Sequence, residues 1–109
     1  QFKVLNALLI LDPLIQALKT NSIRVILYGS YSTGAFTSES DCDLFIDSEE
    51  KEIVESSIDR FKRKTDLDIR SIIMSLVEWM QMEKDDPVFF GEINRGITLW
   101  EKPIDERGF

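Results

Sequence analysis

Histidine is absent from the 109-residue chain. That excludes Ser-His-Asp and Cys-His nucleophile systems, histidine-ligated zinc and imidazole acid–base work. A single cysteine, Cys42, excludes an internal disulfide and a multi-cysteine metal site; it gives no sign of an oxidising compartment, so a cytoplasmic location is expected. Long apolar runs are missing too. Ala7 to Leu11, the longest near the N-terminus, falls far short of the ~20 residues a bilayer requires, and no basic start precedes it as in a signal peptide. Positive charge is scarce, with 13 Lys and Arg against 20 Asp and Glu and a net charge of −7. Such a surface repels phosphate backbones, so free nucleic acid is not the expected partner. The chemistry that remains belongs to carboxylates, hydroxyls, backbone amides or a hard metal ion. The chain opens on Gln1 rather than methionine, which leaves room for a preceding segment.

What is present reads as one domain over residues 1–109, long enough to bury roughly two-thirds of its unfolded surface. A hydrophobic share of 43% and a charged share of 30% are those of an ordinary globular protein. No repeat, low-complexity tract or linker interrupts it. Phe2 to Lys19 has helical spacing, and Asp12-Pro13 inside it predicts either two helical pieces or one kinked helix. Ile23 to Tyr28 is apolar on both faces, the pattern of a central strand. Gly29 to Ser40 reads as a loop and Cys42 to Ile46 as a second strand. Asp47-Ser48-Glu49-Glu50 has the form of a capping box opening a helix to about Lys64, with Ile53, Val54, Ser57, Ile58 and Phe61 on one face. The cations Arg60, Lys62, Arg63 and Lys64 suit its C-terminal dipole, which explains them without a ligand. Leu67 to Ile73 is a third strand. Ser75 to Glu78 is another capping box, starting a helix through Met82. Asp86-Pro87 starts one more helix, with Gly96 as its C′ residue, and Ile97 to Glu101 is a last strand before a loose tail. Strands alternating with helices predict an α/β (α+β) fold, a small mixed sheet flanked by helices.

The informative stretch is LYGSYSTGAFTSESDCDLFI, residues 27–46. A buried strand ends at Gly29-Ser30, where the missing Cβ admits a phosphate, the following amides form an anion nest and the Ser30 hydroxyl adds a donor. Gly34 follows where the loop must pack closely or take positive φ. Asp41 and Asp43 sit two apart on a strand, on one face and ~6.6 Å apart along it, while Cys42 points the other way. Two such like charges beside apolar strands need a cation between them, and a hard divalent ion with oxygen ligands answers that need. On the third strand Asp68 is a further carboxylate inside an apolar run, with Asp66 a competing candidate at its mouth. A phosphate-cradling turn beside a carboxylate pair describes phosphoryl or nucleotidyl transfer.

Gly29, Ser30 and Gly34, then Asp41 and Asp43 followed by Leu44, Phe45 and Ile46, then Asp68, together resemble the minimal nucleotidyltransferases of the polymerase-beta-like superfamily over nearly the whole chain. The resemblance implies a magnesium-dependent transfer of a nucleoside monophosphate, with ATP as the expected donor. It makes Asp41, Asp43 and Asp68 catalytic and metal-holding around two magnesium ions, and Gly29, Ser30 and Gly34 nucleotide-binding. It further implies an antitoxin whose partner is an all-helical HEPN toxin, in some members modified with AMP. One departure stands out. Thr33 occupies the position where many relatives carry arginine, which removes a cation expected near the triphosphate.

Blander readings stand beside these. Cys42 reads as an inert core thiol, and Trp79, Met80, Phe89, Phe90 and Ile93 read as core. Trp100 is expected on the outer face of an edge strand. Arg70 suits either a phosphate contact or, more simply, a salt bridge to a neighbouring aspartate. Two rival functions remain: a non-enzymatic module of the same fold that binds a partner protein, and a small-molecule nucleotidyltransferase. The second needs an acceptor-binding part, gained by homo-oligomerisation or from a preceding segment.

Overall fold

The computed structural model describes residues 2–29, 42–65 and 67–107, with backbone alone for residues 2–7. The elements run α1 (Phe2–Leu18), β1 (Arg24–Tyr28), β2 (Cys42–Asp47), α2 (Lys51–Lys62), β3 (Ile69–Met74), α3 (Leu76–Asp85), α4 (Pro87–Asn94) and β4 (Ile97–Glu101), then a 3-10 turn at Ile104–Glu106. Among the described residues the strands form one mixed sheet of order β3-β2-β1-β4. β1 pairs antiparallel with β2 and β4, and β2 pairs parallel with β3. β1 and β2 occupy the centre, which is why VILY and LFID are buried almost throughout.

Alternation along the central strands sorts side chains into two cores. Val25, Leu27, Cys42, Leu44 and Ile46 face α1 and α2, where they meet Leu11, Leu14, Leu18, Val54 and Ile58. Ile26, Tyr28 and Phe45 face α3 and α4, where they meet Trp79 and Ile93. Phe45 and Trp79 approach with ring centroids 4.5 Å apart, and Trp79 stacks on Phe90 at 4.3 Å. The flanking-helix architecture expected from the sequence is therefore present, with helices on both faces.

Several local expectations change. α1 is a single helix with Pro13 inside it. Leu11, Leu14, Ile15 and Leu18 are all buried, so packing on both sides of Pro13 outweighs its missing hydrogen bond. The expected capping box of Asp47 and Glu50 does not form: α2 begins at Lys51 behind an N-cap, Glu50, with no side-chain cap bond. The Ser48 hydroxyl accepts from Glu50 N at 2.9 Å and donates to the Asn21 carbonyl, tying two turns together. Ile53 is 48% exposed and leaves the face assigned to it. The Ser75 box is formed: Ser75 Oγ accepts from Glu78 N at 3.3 Å, and Glu78 Oε1 accepts from Ser75 N at 2.9 Å. α3 continues to Asp85, three residues beyond the expected end.

Gly96 is not a left-handed cap, since Gly29 is the glycine with positive φ among the described residues. It is needed for close approach: a Cβ there would lie 2.5 Å from the Leu27 carbonyl oxygen and 3.0 Å from Tyr28 Cβ. Trp100 is not on the outer face. A register shift between Val25 and Ile26 inserts an extra residue in β4, which lets Leu99 and Trp100 both pack against the α1–α2 core. Met80 is 58% exposed and is not core. The tail is anchored rather than loose as far as Arg107, whose Nε donates to the Lys102 carbonyl at 2.8 Å and whose guanidinium pairs Glu101 at 2.7 Å.

Candidate functional site

One row crosses the sheet at the end where β1 finishes and β2 and β3 begin. In register, Tyr28 on β1 lies opposite Asp43 on β2, and Asp43 lies opposite Arg70 on β3. Register partners share a face, so the row Tyr28–Asp43–Arg70 lies on the α3–α4 side. Gly96 abuts Tyr28 at the other end of the row. The row exists because β1 is apolar from Val25 to Tyr28 and then breaks at Gly29, while the second residue of β2, Asp43, is a polar one between Cys42 and Leu44.

Gly29 has φ +75°, and a Cβ on it would fall 2.6 Å from Asp43 Oδ2. The Asp43 carboxylate therefore lies directly over the bend that ends β1, in space that another residue's side chain would fill. That brings two sequence-expected site residues together. Asp68 is placed less deeply than expected: β3 begins at Ile69, so Asp68 stands exposed just ahead of the strand rather than inside it. Its carbonyl accepts from Cys42 N at 2.7 Å, which holds the two strand starts side by side. Ser30, Thr33, Gly34, Asp41 and Asp66 lie outside the described residues.

The field at this end is acidic. Burial, then Asp43, then Glu92 on α4 push the Tyr28 hydroxyl up to about 12, against a smaller opposing pull from Arg70. Tyr28 is 5% exposed, with Phe89 edge-on at 5.8 Å between centroids. On the reverse face, burial and then Asp43 push the Cys42 thiol up to about 12, as suits an inert core cysteine. Asp43 is half-buried and Asp68 and Glu92 are exposed, so the described carboxylates at this end of the sheet are hard oxygen donors. This donor set suits a hard divalent cation better than a soft one. Among the described residues no group of three or more acidic or cysteine side chains converges as a metal cage. By contrast, a groove of about 400 Å³ between α2 and β3 carries both Lys51 and Lys62 and both Glu55 and Asp59 at its walls. Its two cations and two carboxylates balance in number, so the lining carries no net charge.

Tyr28 and Glu92 belong to this site without having been expected there. Tyr28 is legible in retrospect as the last residue before the glycine bend, in phase with Asp43. Glu92 reaches the site only because α4 folds back over β1, which no local pattern announces.

The chain can now be set beside known proteins. Curated proteins give no sequence match. Among solved structures, that of a candidate nucleotidyltransferase from Sulfolobus solfataricus aligns with a TM-score of 0.58 at 16% identity, covering 91% of this chain and 84% of that one, so the two share a fold. Among the described residues no helix is long and apolar enough to cross a membrane. The sequence profile described as "Nucleotidyltransferase domain" matches residues 11–97, which spans the sheet, the Gly29 bend, the Asp43 row and the start of β4, and on that match the chain belongs to the nucleotidyltransferase domain family.

Proposed function

We propose that the protein transfers AMP from ATP to a hydroxyl acceptor in a magnesium-dependent reaction. The observation that carries this reading is the Asp43 carboxylate lying over the Gly29 bend, 2.6 Å from where a Cβ would stand, with Asp68 beside it at the start of the neighbouring strand. In this reading Asp43, with Asp41 and Asp68, holds the metal, and the oxygen-only donors fit magnesium. When bound, magnesium neutralises phosphate charge and favours departure of pyrophosphate. Gly29, Ser30 and Gly34 receive the phosphate tail through backbone amides and the Ser30 hydroxyl. The acceptor oxygen attacks the α-phosphorus, the bond to the pyrophosphate bridging oxygen breaks, and the acceptor proton passes to the Asp68 carboxylate. Most of the acceleration comes from in-line positioning and from fixed charge, since the protein forms no covalent bond to the nucleotide.

The acceptor in this reading is a helical protein of the HEPN type, for which the chain serves as antitoxin. Val77, Met80 and Val88 are 76%, 58% and 78% exposed on α3 and α4, which supplies apolar surface for a protein acceptor. The test is incubation with α-labelled ATP, magnesium and a cell extract. Label is expected in protein, and Asp43→Asn is expected to abolish it without lowering the melting temperature by more than a few degrees. Label retained in that variant refutes the assignment, and label in a small molecule supports the rival small-molecule transferase.

A further inference from the structure

Nucleoside triphosphates carry several negative charges, and the end of the sheet that would receive one is lined by Asp43, Asp68 and Glu92. In a chain of net charge −7, local countercharge for such a substrate has to come from particular residues. The cations of α2, Lys51 and Lys62, line the groove on the other face of the sheet. Arg24 stands at the far end of β1, paired with Asp47 at 3.6 Å and lying over Phe45 and Trp79. Arg70 is differently placed. It is exposed on β3, in register with Asp43 and on the same face.

Strand geometry makes this position a fixed one. Parallel neighbours lie about 4.8 Å apart, so the base of the Arg70 side chain is one strand spacing from that of Asp43. The guanidinium can accompany the carboxylate and still present further N–H groups outward, because it carries five donors in a planar fork. A residue with this reach, edge-strand exposure and fixed placement beside Asp43 suits two-pronged binding of phosphate oxygens.

We propose that Arg70 binds the phosphate tail of the nucleotide, making it a substrate-binding residue of this site as well as a neighbour of Asp43. This rests on the nucleotidyltransferase reading above. It makes the site selective for the phosphorylated donor, with discrimination that increases with phosphate charge.

The test compares the wild-type chain with Arg70→Ala and Arg70→Lys, titrated with magnesium-ATP, with adenosine and with Mn²⁺ alone. Hydrogen bonds to charged groups set the scale, so Arg70→Ala is expected to weaken magnesium-ATP about 10–100-fold. Adenosine affinity should stay within about twofold and melting temperature should be unchanged, with Arg70→Lys between the two because it keeps charge and loses the fork. The salt dependence of magnesium-ATP binding should flatten in the alanine variant. If Arg70 serves only to neutralise Asp43, its removal tightens Mn²⁺ and leaves magnesium-ATP unaffected, and the proposal is overturned. Equal losses of ATP and adenosine overturn it as well. Failure of the wild-type chain itself to bind magnesium-ATP removes the underlying reading, an outcome seen before any variant is made.

Discussion

Replacing Gly29 by alanine separates the bend's conformational role from its contact with Asp43. At φ +75° an alanine is strained by about 1–2 kcal/mol, and its lower unfolded-state entropy returns about 0.4–1 kcal/mol. The new methyl also meets Asp43 Oδ2 at 2.6 Å, but Asp43 Cγ and Cβ stand at 3.6 and 3.7 Å, so rotation of the carboxylate alone relieves the contact. The expected net loss is therefore about 1 kcal/mol, or a melting temperature lower by about 4 °C for a chain of this size. Activity should suffer more than stability, because the oxygen that must move is the one over the bend; a fall of more than about tenfold in nucleotide transfer corresponds to about 1.4 kcal/mol of lost transition-state binding. Gly96→Ala is the control. There the obstructing atom is the Leu27 carbonyl oxygen at 2.5 Å, backbone that cannot rotate away, and overpacking costs about 1–3 kcal/mol. Thermal melts and α-labelled ATP transfer read both variants. The reasoning fails if Gly29→Ala melts and transfers like the wild type, or if it loses more stability than Gly96→Ala.

The buried ionisable groups make stability and titration depend on pH in three ways. With Cys42 and Tyr28 both held up near 12 from ordinary values of 9.0 and 10.0, the unfolded chain ionises them first as pH rises, so stability should fall from about pH 9 upward; at pH 8 Cys42 should resist a thiol reagent until denaturant is added, and rapid labelling of the folded chain would contradict its burial. Asp43 is the second-largest cause of the Tyr28 shift, so Asp43→Asn in a Tyr31→Phe background should lower the tyrosine titration midpoint followed by ultraviolet absorbance, and an unmoved midpoint would detach Asp43 from the row. Asp47 is held above its usual carboxylate range by burial, against Arg24, so the folded state takes up its proton first; wild-type stability relative to Asp47→Asn should rise as pH falls through the folded value toward 3.8, and a pH-independent difference in urea melts would refute it.

The strands were legible in the sequence because their order of burial is written in composition: IRVILY and CDLFI have no polar face wide enough for anything but the centre of a sheet. The Ser75 and Asp86 helix starts were legible for a local reason, a cap and its partner within three residues. The Asp47–Glu50 spacing misled because the Asp47 carboxylate faces Arg24 across the β1–β2 pair, a competition that local spacing does not contain. Asp68 was assigned one step too deep, since the β-branched run that follows it marks where β3 becomes buried and not where its backbone pairing with Cys42 begins. Trp100 and Gly96 depended on a register shift and a close approach between β1 and β4, both properties of paired strands. Of the site, Gly29 and Asp43 could be read from spacing alone. Tyr28 and Glu92 required the fold, because their relation to Asp43 is across strands and from a helix that returns over the sheet.

β2 offers an internal comparison that explains why spacing alone is insufficient to assign a carboxylate's role. Asp43 and Asp47 lie on the same face of the same strand, four residues apart, and both are opposed by a β1 residue in register, Tyr28 and Arg24 respectively. Asp47 is 4% exposed and paired to Arg24 at 3.6 Å; among the described residues its Oδ1 has no hydrogen-bond partner, nor has Arg24 Nε. Its environment closes over it: Arg24 covers Phe45 and Trp79, so solvent and ligands are excluded and the pair costs desolvation that its Coulomb attraction only partly offsets. Asp43 is half-buried beside the glycine bend, with Arg70 exposed on β3 and Asp68 exposed just ahead of it. The environments of the two aspartates on this strand therefore differ by what the two ends of β1 supply, an arginine lying over Phe45 and Trp79 at one end and a glycine at the other.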